Sequence, residues 1–321
     1  MGLIRKTRGT EPLKSDATAN VDRFLAAVKR SRNAVLALNH EGLLPSQPYA
    51  AVRPQLAIIA QLRQLHLAGV VRLILFTDRQ SSRVVNCLGC TPAPEIWGVG
   101  GLERAKPGEP YDGPELTADQ RSALTKAYEI ADDFGLQPWV EKKPGGLGLY
   151  LNGFAPEDAL ALGRRLWNPW FRIADRSALH ITGLKHGIEL RIPGRTRSDA
   201  IRTILSEIKA NTPIAYIGTD VLDIPAMEML SRRGLTAFFS QSSVPKADLC
   251  FADLSEISGF LEQCQTAATT ATEGPRHRSW RNANSCTKNE KCDEHAQGPH
   301  YPRRFREIGR ADRLCSEIPA S

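Results

Sequence analysis

No run of about 18 consecutive apolar residues occurs in this 321-residue chain, so no helix of it is long and apolar enough to cross a bilayer. The opening stretch, MGLIRKTRGTEPLKSD, lacks the apolar core of a secretory signal, and a cytoplasmic location is the expectation. Cysteines number seven and form no framework: Cys87 and Cys90 have neither a partner pair nor a thioredoxin-like setting. Cys286, Cys292, His295 and His300 match no standard zinc spacing, which leaves reduced thiols. The formal charge of +7 comes without an RNA- or DNA-binding motif. Much of it sits near the two ends, at Arg5, Lys6 and Arg8 and at Arg303, Arg304 and Arg306, where solvated tails explain it without a nucleic-acid partner.

What is present is ordinary for a globular protein, with 41% hydrophobic and 24% charged residues. Residues 20–31 place Val21, Phe24, Leu25 and Val28 at helical spacing. Short apolar runs at 34–38, 71–76, 214–217, 235–239 and 249–251 read as buried strands. Helical patterns at 54–67, 199–209 and 254–261 fall between or after them. Apolar strands alternating with amphipathic helices predict a Rossmann-like α/β core, a parallel sheet covered on both faces.

The middle of the chain follows another pattern. Thr117 is a predicted N-cap for a helix running to Phe134, and a second helix is expected over 156–167. Strands are expected at 139–143, 147–151, 178–182 and 187–192. This predicts an inserted α+β cap domain at 109–192, between core segments 20–108 and 193–264, entered near Gly108, Pro110, Gly113 and Pro114 and left at Pro193-Gly194. Residues 1–19 are expected to be flexible. From about 265 onward the pattern dissolves into a polar, basic tail that buries too little surface to offset its ordering entropy, so 265–321 is expected to be disordered.

Four polar clusters fall at predicted strand ends or helix starts: Asn39-His40-Glu41-Gly42, Thr77-Asp78-Arg79, Arg195-Thr196-Arg197-Ser198, and Gly218-Thr219-Asp220-Val221-Leu222-Asp223. Ligands of open α/β sheets bind at such strand ends. The order of the clusters resembles the four signatures of the haloacid dehalogenase superfamily. The resemblance narrows to the trehalose-6-phosphate phosphatases over residues 20–264. It is carried by GIELRIPGRTRSDAIRTILSEIKANTPIAYIGTDVLDIPAMEML at 187–230, by Pro94-Glu95-Ile96-Trp97-Gly98 with Gly101-Leu102-Glu103, and by Glu141-Lys142-Lys143-Pro144. The resemblance implies a haloacid dehalogenase fold, phosphomonoester hydrolysis, a Mg²⁺ ion, a phosphosugar of the trehalose-6-phosphate class, and a trehalose-phosphate synthase as a candidate partner.

The departures from that family's pattern concern its chemistry. Asn39 stands where the resemblance implies an aspartate that attacks phosphorus, and a neutral amide is a feeble nucleophile. Glu41 stands at the acid/base position with a carboxyl carried about 1.5 Å further out. Thr219 removes a carboxylate from the implied metal site and leaves Asp220 and Asp223, which predicts that Mg²⁺ binding is lost or weakened. Arg197 replaces the implied lysine that steadies phosphate, while Thr77 keeps the implied hydroxyl. Val99 and Gly100 replace polar residues, and Tyr150 and Asn152 stand where related sequences carry His and Arg. The implied sugar contacts map to Glu141, Lys143, Glu189 and Arg191.

The expected function is therefore that of a homologue which has lost most or all hydrolysis and acts by binding or regulation. One competing expectation is an active phosphatase that uses Glu41 or Asp220 in an altered mechanism. Another is a binding protein whose basic tail attracts polyanions. Simpler roles stand beside these: Thr77 as a helix cap, Glu189 and Arg191 as a surface ion pair, Asp220 and Asp223 as acidic residues at a helix start. His40, by strand alternation, is expected to be a packed histidine pointing away from Asn39 and Glu41.

Overall fold

A computed structural model describes residues 13–31, 33–45, 52–184, 187–240 and 247–272. The chain opens with α1 (Leu13–Arg30), followed by β1 (Ala34–Asn39), α2 (Arg53–Leu67), β2 (Val71–Phe76) and the short α3 (Ser81–Val84). Two short strands, β3 (Glu95–Gly98) and β4 (Glu103–Ala105), come next. After the second sheet described below, the chain returns with α6 (Arg197–Glu207), β9 (Ile214–Gly218), α7 (Ile224–Leu230), β10 (Leu235–Phe239), β11 (Leu249–Phe251) and α8 (Leu254–Thr272). The strands lie in the order β11-β10-β9-β1-β2-β3-β4, all parallel except β4, which runs antiparallel to β3.

Every residue of β1 is buried, as a central parallel strand covered on both faces requires. Leu36, Leu38, Leu73 and Leu75 face the layer of α1, α2 and α8, where Phe24, Ile58, Leu62 and Phe260 pack. Val35, Ala37, Ile74 and Phe76 face the opposite layer, with Ile201 and Ile204 of α6 and Met227 and Leu230 of α7. Successive residues alternate between these layers, so Asn39 shares the side of Val35 and Ala37. The chain winds outward from β1 in two directions, and β1 and β9 mark the point where the order reverses. In open α/β sheets such a point, at the carboxyl ends of the strands, is where ligands bind.

Between β4 and α6 lie α4 (Ala118–Asp133), β5 (Val140–Lys143), β6 (Gly146–Tyr150), α5 (Pro156–Ser177), β7 (His180–Leu184) and β8 (Gly187–Arg191). Their strands form an antiparallel sheet in the order β5-β6-β8-β7. One face carries Leu147, Leu149, Ile188 and Leu190 against Ala127 and Leu124 of α4 and Leu166, Trp170 and Ile173 of α5. Trp170 is fully buried and donates its indole N–H to the Ala127 carbonyl at 3.0 Å, joining the two helices. Thr117 caps α4: its hydroxyl accepts from the Gln120 N–H at 3.2 Å, and the Gln120 side chain accepts from the Thr117 N–H at 3.1 Å. Thr117→Ala is expected to lower stability by about 1 kcal/mol, read as a shift in denaturant midpoint with unchanged slope.

Several boundaries differ from those expected. Helix α1 begins at Leu13, inside the stretch expected to be flexible, because LKSDATAN is helical but too polar to show an apolar period. Helix α5 runs ten residues past the expected end at 167 and carries Pro169 inside it; burial of Trp170, Ile173 and Ala174 holds the turns after the proline. Helix α8 continues through residues 265–272, where Ala267 and Ala268 pack into the core, so the tail does not begin at 265. Residues 273–321, with Cys286, Cys292, His295, His300 and the distal arginines, lie outside the described residues.

Candidate functional site

Three neighbouring strands, β9, β1 and β2, end together and deliver the polar clusters to one rim. Asn39 closes β1, Thr77 follows β2, Thr219 follows β9, and Arg197 opens α6. Asn39, Thr77, Arg197 and Asp223 are all buried. Glycine makes the approach possible at Gly101, where φ is +99° and an added Cβ would sit 2.5 Å from the Thr196 backbone. The loop before β4 therefore lies directly against the start of α6.

The side chains at this rim are tied to one another. Asn39 Nδ2 donates to Thr219 Oγ1 and to Asp223 Oδ2, each at 2.9 Å. Thr219 Oγ1 in turn donates to the Glu41 carbonyl at 2.7 Å. Asp223 Oδ2 also accepts the backbone N–H of Thr219 at 2.8 Å and of Asp220 at 3.0 Å. Its Oδ1 accepts the Tyr216 hydroxyl at 2.5 Å and faces Arg197 Nη1 at 3.1 Å. Asp223 is thus more than a favourable charge at a helix start. Asp220, by contrast, turns away and caps the Leu222 N–H at 3.0 Å.

The family that the sequence resembles implies Mg²⁺ at this rim, and the residues present do not fit it. A magnesium ion needs oxygens with free lone pairs in near-octahedral array, usually with carboxylates among them. Here the Glu41 carbonyl is taken by Thr219, and both Asp223 oxygens are taken by donors. The Asn39 amide turns N–H groups, not lone pairs, toward Asp223. Asn39 Oδ1 and Glu41 Oε2 are buried without a hydrogen-bond partner, and one amide oxygen with one carboxylate oxygen does not make a near-octahedral site. Among the described residues, no group of three or more His, Cys, Asp or Glu could hold a metal ion.

On the other side of the rim, Glu41 Oε1 accepts the Thr77 hydroxyl at 2.5 Å and the Asp78 N–H at 3.1 Å. Arg197 Nη2 pairs with Asp78 Oδ1 at 2.6 Å, so Arg197 bridges Asp78 and Asp223. Burial, reinforced by the Asp78 charge, pushes the Glu41 carboxyl up to about 7. Burial also brings the His40 imidazole down to about 4, with Arg79 adding to it. His40 is buried as expected, but it does not point away from its neighbour: its Nδ1 lies 3.9 Å from Glu41 Oε1, because the strand ends at Asn39 and alternation ends with it.

Those two opposite shifts act on stability in the same pH range with opposite sign. Between about pH 4.5 and 6.5 the folded chain holds a proton on Glu41 that the unfolded chain has released. Over the same range the unfolded chain protonates His40 while the folded chain keeps it neutral. The contributions cancel in the wild type. Glu41→Gln removes one of them, and its stability is expected to fall by about 3 kcal/mol as pH drops from 6.5 to 4. Urea midpoints across that range check it; parallel pH profiles for the two proteins would contradict it.

The second sheet reaches over the rim. Lys143, whose side chain is fully enclosed, donates to the Asp78 carbonyl and to Glu189 Oε1, both at 2.5 Å. Tyr150 donates its hydroxyl to the same carbonyl at 3.3 Å. Arg191 Nη1 donates to the Val99 carbonyl at 2.8 Å. Arg79 extends upward over the Tyr150 ring, 5.3 Å from its centroid, and reaches Glu141 Oε2 at 3.9 Å. Glu189 and Arg191 are therefore not a surface ion pair: Glu189 is buried and pairs with Lys143, and Arg191 lies 4.0 Å from it.

Asn39, Glu41, Thr77, Arg197, Thr219, Asp220 and Asp223 lie at this rim, and Glu141, Lys143, Glu189 and Arg191 lie in the sheet facing it. The sequence places Asp78 and Arg79 in the cluster with Thr77 but assigns them no role, and it does not single out Tyr216; all three complete the network. Asp78 and Arg79 directly follow Thr77, and their polarity at a strand end was the available signal. Tyr216, inside a buried strand, gave none.

No family model matches the chain, and no curated protein does. Solved structures do match. The structure of a trehalose-6-phosphate phosphatase related protein superposes with a TM-score of 0.56 at 19% identity, covering 74% of this chain and 99% of that one. The C-terminal domain of Candida albicans trehalose-6-phosphate phosphatase gives 0.60 at 12% identity, covering 78% and 97%. The C-terminal domain of the Candida albicans trehalose synthase regulatory protein gives 0.52 at 12% identity, covering 77% and 97%. The chain has the mixed α/β fold of these proteins, with a mostly parallel central sheet.

Proposed function

We propose that the chain is a non-hydrolysing relative of the trehalose-6-phosphate phosphatases that acts by binding, as a regulatory protein of trehalose-phosphate metabolism. In this reading residues 109–192 form a cap over a core built from 20–108 and 193–264. A phosphosugar would meet Thr77 and Arg197 with its phosphate, and Glu141, Lys143, Glu189 and Arg191 with its sugar. A trehalose-phosphate synthase is the candidate protein partner. One structure sharing the fold belongs to a trehalose synthase regulatory protein, which supports a regulatory role.

The observation that carries the reading is the Asn39 amide, which is neutral and donates to Thr219 and Asp223. An aspartyl-phosphate route needs an ionised carboxylate at that place. Loss of a covalent nucleophile in an unrelated enzyme lowers turnover by about a million-fold. Purified protein with Mg²⁺ and trehalose-6-phosphate is expected to release phosphate no faster than the no-enzyme control. Calorimetric titration with Mg²⁺ is expected to show no binding. The triple variant Asn39→Asp, Glu41→Asp, Thr219→Asp is the comparison in both assays. Wild-type turnover well above the control would sink the proposal.

One observation favours a second reading. A buried carboxyl whose pKa is near neutrality, as at Glu41, is suited to proton transfer. That supports an active phosphosugar phosphatase with an altered mechanism, for which a phospho-enzyme mapped to Glu41 or Asp220 is the expected signature.

A further inference from the structure

Glu41 occupies a cradle whose donors suit a different guest. A side-chain hydroxyl, Thr77 Oγ1, and a backbone N–H, that of Asp78, converge on Glu41 Oε1 at the carboxyl end of a parallel strand. Such convergence of donors makes an anion-binding concavity. The match between cradle and carboxylate is incomplete. Glu41 Oε2 is buried and receives no hydrogen bond, and buried Arg197 leaves Nε and Nη1 without a hydrogen-bond acceptor, although Nη1 faces Asp223. A carboxylate has two oxygens in one plane, whereas a tetrahedral oxyanion presents oxygens in several directions and uses donors that a carboxylate leaves idle. The Glu41 side chain is 32% exposed although its Oε2 is buried, and it lies beyond the end of β1 at Asn39, so its movement does not require the strand to open.

We propose that Glu41 is an internal ligand: its carboxylate fills the Thr77–Asp78 cradle in the resting chain, excludes phosphate and phosphate esters, and opens the site when it swings into solvent. This rests on the placement of the phosphate in the reading above, and not on the loss of hydrolysis. Any phosphorylated ligand must displace Glu41 before it is held, so binding and release of the side chain are coupled.

Calorimetric titration of inorganic phosphate tests this on the wild type, Glu41→Ala, and Glu41→Ala/Thr77→Val, each with a melting curve. Glu41→Ala is expected to bind phosphate at least about tenfold more tightly than the wild type. Adding Thr77→Val is expected to remove the gain. Equal affinity in the wild type and Glu41→Ala, or a gain that survives Thr77→Val, overturns the proposal. Should Glu41→Ala fail to fold, Glu41→Gln keeps the side chain's shape without its charge and is expected to gain affinity. Phosphate affinity of Glu41→Gln equal to that of the wild type then overturns it. Hydrolysis is read separately with trehalose-6-phosphate, so loss of either conclusion is visible without loss of the other.

Discussion

Asn39→Asp is expected to lower stability at pH 7 by about 4 kcal/mol, or about 10 °C in melting temperature, in the absence of divalent cations. The amide nitrogen lies 2.9 Å from Asp223 Oδ2, and the substitution puts a carboxylate oxygen there. Two ionised carboxylates at that distance repel by about 5–6 kcal/mol even at a high effective dielectric. The pair relieves this by keeping one proton, and holding a carboxyl protonated at pH 7 costs about 1.4 kcal/mol for each of about three pH units. The folded pKa of the pair is thus raised above its unfolded value. The deficit should be small near pH 4 and grow as pH rises through neutrality. Mg²⁺ should recover part of it, since the variant offers a second carboxylate where the wild type offers N–H groups. Denaturant midpoints at pH 4 and 7, with chelator and with Mg²⁺, give the four numbers needed. An Asn39→Asp protein as stable as the wild type at pH 7 with chelator would show that the Asn39–Asp223 contact does not govern stability at this rim.

How much of this was readable in the sequence depended on whether a residue's surroundings repeat along the chain. Strands β1, β2, β9 and β10 stood out because burial on both faces demands continuous apolar runs. Strands β3 and β4 did not, since they are short and carry Glu95, Glu103 and Arg104 in buried positions. Those charges are held by tertiary partners. Arg104 and Arg72 both pair with Glu95 and with Glu207 from α6, and the two arginines overcome burial to hold the Glu207 carboxyl down to about 2. Partners as far apart as Arg72 and Glu95, at 23 residues, and Arg72 and Glu207, at 135, leave no local pattern.

The site shows the same division. Residue types at the strand ends were evident, and with them an amide, not a carboxylate, at position 39. Which way each polar group turns was not. That Thr219 links Asn39 to the Glu41 carbonyl, and that Asp220 leaves the network while Asp223 anchors it, follow from turn geometry after β9. The sugar-side residues were expected to face a ligand, whereas Lys143 and Arg191 hold carbonyl oxygens of Asp78 and Val99. A rim whose polar groups are already paired within the chain has more to lose from a single deletion than an open one.

Lys143→Ala is accordingly expected to cost about 3–5 kcal/mol, with the loss read as a lower denaturant midpoint. The ammonium is enclosed and holds two acceptors, Glu189 Oε1 and the Asp78 carbonyl. Burial by itself would push its pKa down, but the charge of Glu189 outweighs that and holds the lysine protonated. Truncation leaves Glu189 as a buried charge whose nearest cation, Arg191, stands at 4.0 Å. It also removes a bond by which the second sheet grips the loop after β2. The double variant Lys143→Met/Glu189→Leu separates these effects, because it fills similar volume with no ion to desolvate. Replacing both members of a buried pair is commonly neutral or stabilising, so the double variant is expected to regain most of the lost midpoint. If it stays as unstable as Lys143→Ala, the contact with the Asp78 carbonyl, and not the stranded charge of Glu189, sets the cost.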